Sequence, residues 1–87
     1  PTCCQERYSP GWNDKFHTVT DGRADINSTT PGDCCKACIK DKKCIEWKFL
    51  VACTLYTDLN NTCSHETITP SAIGAEGGII RCKDGSG

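Results

Sequence analysis

Cys34-Cys35-Lys36-Ala37-Cys38-Ile39-Lys40-Asp41-Lys42-Lys43-Cys44-Ile45-Glu46-Trp47-Lys48-Phe49-Leu50-Val51-Ala52-Cys53 changes its period halfway along. The residues before it, Thr30-Pro31-Gly32-Asp33, have the chemistry of a helix start. Threonine suits the N-cap, proline the first helical position, and an acid the third, where it also complements the helix dipole. The helix then runs through Cys34 to Asp41. Cys34 and Cys38, four apart, share one face of it. Lys40, Lys42 and Lys43 suit its C-terminal end. After Cys44, the residues Ile45, Trp47, Phe49 and Val51 alternate with Glu46, Lys48 and Leu50. Leu50 apart, this is the period-two pattern of a half-buried strand. Cys53-Thr54-Leu55-Tyr56-Thr57 is a second β-prone run, near enough to close a hairpin with the first. A short helix cannot bury its apolar face alone, so the pattern predicts an α+β domain with the helix laid on a small, mostly antiparallel sheet.

Outward from this stretch the signals shorten. Pro10-Gly11 and Asp21-Gly22 are turn dipeptides. Residues 12–20, with Trp12, Phe16 and Val19, read as a short strand, and Ala24 and Ile26 as a brief half-buried extended segment. Asp58 to Thr69 is loop-like, Gly74 to Gly78 a glycine-rich bend, and Ile79 to Cys82 a closing strand.

The chain has 87 residues, nine of them cysteine, with a net charge of -1. So short a chain supports one domain with one small core and needs staples, which nine cysteines supply in an oxidising compartment. The balanced charge points away from nucleic acid and anionic membrane surfaces. No apolar run approaches the ~20 residues of a membrane span. The opening Pro1-Thr2-Cys3-Cys4 reads as a mature secreted chain whose leader is gone. Residues 83–87 read as a flexible tail. Nine being odd, four bridges leave one sulfur over.

The spacing Cys34-x3-Cys38-x5-Cys44-x2-Trp47, followed by Cys53-x-Leu55, resembles the PAN/Apple module. Asp21-Gly22-Arg23-Ala24-Asp25-Ile26 looks like that family's segment before the helix, and Cys82 is similar to its last cysteine. The likeness covers residues 12–82, so residues 1–87 are expected to form a single PAN/Apple-like domain. It implies pairs Cys38–Cys44, Cys34–Cys53 and Cys4–Cys82. Cys3, Cys35 and Cys63 fall outside that framework. A fourth bridge is expected between Cys3 and Cys63, leaving Cys35 either as a small buried hydrophobe or as the handle of a covalent dimer.

Three kinds of chemistry compete. Zinc would need more than Cys35-x2-Cys38, and His17 and His65 lie far apart in sequence, so no metal or other cofactor is expected. The same Cys-x2-Cys matches a redox motif only formally, without the βαβ pattern it belongs to, and no enzyme activity is expected. Binding remains. The PAN/Apple resemblance implies a secreted, extracellular module that recognises a host protein or glycan, as small cysteine-rich effectors or elicitors of oomycetes, fungi and parasites do. The alternative is a disulfide-rich toxin or cell-wall component without a ligand pocket. If Ile45, Trp47, Phe49 and Leu55 face the helix, then Glu46, Lys48 and Tyr56 face outward. These three, with Trp12, form the expected ligand site, although Trp12 reads first as core. Asn27-Ser28-Thr29 and Asn60-Asn61-Thr62 are possible glycosylation sequons and so surface markers.

Overall fold

A computed structural model of the chain describes residues 2–17, 22–57, 67–68 and 74–80. Helix α1 spans Pro31–Lys40. Thr30 caps it as expected: its side-chain oxygen accepts from the Asp33 N–H at 3.1 Å. Strands β3 (Glu46–Leu50) and β4 (Ala52–Tyr56) form the hairpin at the centre of a four-stranded antiparallel sheet. Its edges are β2 (Arg23–Ala24), beside β4, and β6 (Glu76–Ile79), beside β3. A separate two-stranded ribbon pairs β1 (Phe16–His17) with β5 (Thr67–Ile68). The fold is thus a small α+β one, a helix on an antiparallel sheet.

The register fixes the two faces. Trp47 lies opposite Leu55 and Phe49 opposite Cys53, all on the side of α1, to which Cys53 is bonded through Cys34. The main core lies here: Trp47, Leu55, Cys53 and the helical cysteines are buried, with Phe49 and Ile39 packed against them. Ile45 is buried too, but in a second small cluster with Tyr56.

Residues 2–14 cover the rest of the helix side. Trp12 meets Trp47 edge to face, their rings 5.8 Å apart. The Trp47 indole N–H donates to the Gly11 carbonyl at 2.9 Å. This contact lies directly over Gly78, whose added Cβ would run into that same carbonyl. The glycine-rich stretch therefore forms the last strand instead of the expected bend, because only a bare backbone passes under Gly11. The strand ends at Ile79, and Arg81 and Cys82 lie outside the described residues. The outer edge of β6 is also paired. Asp14 N–H donates to Gly77 O at 2.7 Å, and the Asn13 side-chain amide bonds both the N–H and the carbonyl of Ile79, each at 3.0 Å.

Five other expectations need correction. Cys4 is bonded to Cys35, so the Cys4–Cys82 link is not formed and Cys35 is not free. Cys3 is exposed and forms no disulfide, which removes its pairing with Cys63; Cys63 and Cys82 lie outside the described residues. Thr67–Ile68 is a strand where a loop was expected, because it finds a partner far away in Phe16–His17. Ala24 and Ile26 are exposed, Ala24 in β2, a two-residue strand at the edge of the sheet, and Ile26 in the turn after it. Cys38–Cys44 and Cys34–Cys53 are bonded as the PAN/Apple likeness implies.

Candidate functional site

The expected ligand face is not a surface. Glu46 lies opposite Tyr56 and Lys48 opposite Thr54, on the side away from α1. Yet Glu46 is 0% and Tyr56 3% exposed. The β1–β5 ribbon lies on that side: Phe16 is buried, and the Lys48 ammonium sits 5.7 Å from its ring centre. Of the four expected residues only Lys48 is partly accessible, and Trp12 belongs to the main core. Alternation assigns residues to faces, but it says nothing about what covers each face.

The Cys-x2-Cys at 35 and 38 is split between two bridges, to Cys4 and to Cys44, so it is neither a redox pair nor a pair of thiolate ligands. Among the described residues no group of three or more His, Cys, Asp or Glu is placed to hold a metal ion. Asn27 is exposed in a turn, and Asn60 lies outside the described residues.

Two surfaces do stand out. The first is the tip of the β3–β4 hairpin. Leu50 pairs with Ala52, so Val51 alone makes the turn, at φ 66°. A β-branched side chain is strained in that left-handed region. Val51 is 94% exposed and Leu50 46%. Asp25 N–H donates to Cys53 O at 3.0 Å, so the chain still tracks β4 there, and Ile26, 87% exposed, follows directly in the turn beyond. One end of the sheet therefore carries four exposed apolar side chains. The alternation read from the sequence placed Val51 on the buried face of the strand; it is instead the turn residue, because the strand ends at Leu50 within the apolar run Phe49 to Cys53.

The second is a groove of about 370 Å³ lined by Arg7, Gly74, Ala75 and Glu76. Asp14 is buried behind it at φ 63°. One Asp14 carboxylate oxygen accepts from Arg7 Nη2 at 2.6 Å and from Nε at 3.2 Å, while Glu76 stands 3.9 Å from Nε. The Asp14 hydrogen bond, with lesser help from Glu76, holds the Arg7 guanidinium protonated even more firmly than usual. Arg7 also lies 5.6 Å from the ring centre of Tyr8, itself 71% exposed and at φ 74°. No periodicity in residues 5–11 announces this arrangement; only the turn chemistry of Pro10-Gly11 hints at a folded-back segment.

No family model matches the chain, and neither a curated protein nor a solved structure matches it.

Proposed function

We propose that the chain is a non-enzymatic recognition module of the secreted, disulfide-locked type, docking on an extracellular host protein through the β3–β4 tip. The observation that carries this reading is Val51, a β-branched residue held in a left-handed turn and fully presented to solvent beside Leu50, Ala52 and Ile26. Strained backbone persists where something other than stability maintains it, and clustered exposed apolar side chains mark contact surfaces. Three bridges within the described residues support an extracellular setting. Two of them, Cys38–Cys44 and Cys34–Cys53, support reading the module as PAN/Apple-like, and an effector or elicitor role is the setting that likeness implies.

The test is photo-crosslinking from position 51 in host extracellular fluid. The reading expects a protein captured by the wild-type tip to be captured equally by a Lys36→Ala control on the exposed side of α1. The same protein should be lost when Leu50→Asn/Ala52→Asn flank the crosslinker at position 51. Capture that ignores the tip substitutions would refute the reading.

A further inference from the structure

We infer that the second half of α1 and the turn after it dock on the surface of an anionic phospholipid bilayer. Lys36, Lys40, Lys42 and Lys43 fall within eight residues, and all four are exposed. None of their ammonium groups has an ion-pair partner among the described residues. The one acid in that segment, Asp41, is occupied: its carboxylate accepts from Arg23 at 2.7 Å and from the Lys43 backbone N–H at 3.0 Å. Residues 36–43 with Arg23 hold five of the chain's ten basic side chains and one of its eleven acids. The net charge of -1 is thus an average over a surface on which charge is segregated. Helix capping does not account for the cluster. A cation in the last turn offsets the helix dipole, which suits Lys40. Lys36 lies one turn earlier, and like charges four apart on a helix repel. An external layer of negative charge relieves that repulsion.

The make-up of the patch selects a bilayer over an acidic protein. Its only guanidinium, that of Arg23, is engaged by Asp41, so no fork is left to read a carboxylate through two bonds. None of the exposed large apolar side chains, Tyr8, Ile26, Leu50 and Val51, belongs to this segment, so the patch lacks the apolar centre of a protein interface. What remains is a helix end carrying point charges, which suits a plane of phosphates. The molecule is 22 to 28 Å across, so acids on its far side stand more than a Debye length, about 8 Å, from a bilayer at the patch. The surface is separate from the hairpin tip. Cys34–Cys53 ties the first turn of α1 near the tip, and Cys38–Cys44 ties the last turn at the other end of β3, about 17 Å away. Both surfaces can be engaged at once.

The experiment is co-sedimentation of the intact, oxidised protein with vesicles of equal parts phosphatidylserine and phosphatidylcholine, and with vesicles of phosphatidylcholine alone. Half of the protein should bind at about 1 mM accessible anionic lipid, and added salt should release it. Phosphatidylcholine alone should retain none. Lys36→Gln should weaken binding about fivefold and Lys42→Gln/Lys43→Gln about 25-fold. These side chains are exposed, so the variants keep the fold. Lys15→Gln removes an exposed charge outside the patch and should bind as the wild type does. Leu50→Asn/Ala52→Asn should also bind vesicles normally, which keeps this outcome distinct from the fate of the tip. Three results overturn the inference: binding unchanged in both patch variants, equal binding to neutral vesicles, or binding to poly-L-glutamate in solution without binding to vesicles.

Discussion

Val51 concentrates a conflict between stability and display in one residue. Its left-handed backbone costs about 1–2 kcal/mol, because Cβ crowds the neighbouring carbonyl. Asparagine tolerates that conformation. Val51→Asn is therefore expected to raise stability by about 1 kcal/mol, seen as a melting temperature about 4–8 °C higher. A lower melting temperature would show that the valine side chain stabilises the turn by some other route. Tyr56 makes the opposite case. It looks like a surface aromatic by strand alternation, yet it is buried with Ile45. Tyr56→Ala should cost about 3 kcal/mol or more in denaturant unfolding, as large-to-small changes of buried aromatics do. An unchanged unfolding midpoint would return Tyr56 to the surface.

At the scale of elements, the ends of α1 show how local chemistry is readable. Thr30, Pro31 and Asp33 act within one turn of chain, and their roles follow from residue type alone. The other end is less obvious. Asp41 is the C-cap, where a negative charge opposes the helix dipole. It is offset because the carboxylate accepts from the Lys43 N–H at 3.0 Å and from Arg23 at 2.7 Å. Those bonds, that of Lys43 first and then Arg23, hold the Asp41 carboxyl below the ordinary range. A depressed carboxylate contributes stability that is complete above its unfolded pKa of about 4 and is lost as pH falls through the folded value. The wild type should lose stability below about pH 4 more steeply than Asp41→Asn, the two curves converging in acid. Parallel curves from pH 7 to pH 2 would rule out this linkage. The ribbon whose Phe16 lies against Lys48 was not legible in the same way. Phe16 and Ile68 pair across more than half the chain, and two-residue strands carry no period.

For the molecule as a whole, the cysteines set the frame. Cys38–Cys44 and Cys34–Cys53 link α1 to the turn after it and to β4, and both are pairs that the PAN/Apple resemblance implies. Cys4–Cys35 depends on how residues 2–14 fold back over α1, which no spacing encodes. The bridges should differ in weight. Cys4–Cys35 closes 31 residues and Cys38–Cys44 only six. By chain entropy these correspond to about 4 and about 2 kcal/mol. Cys4→Ala/Cys35→Ala should thus lower unfolding free energy more than Cys38→Ala/Cys44→Ala, and the reverse order in urea titrations would contradict the entropic account.

The pairing of Asn13 with Ile79 makes the N-terminal segment a cover for the sheet's open side. That cover is tied down through Cys4, at the far end of the same segment. In a reducing medium the segment would keep only its noncovalent ties, and wherever it lifted away β6 would present unsatisfied N–H and carbonyl groups to any neighbouring strand. The redox state of one bridge would then decide whether molecules remain separate in solution or add to one another strand by strand.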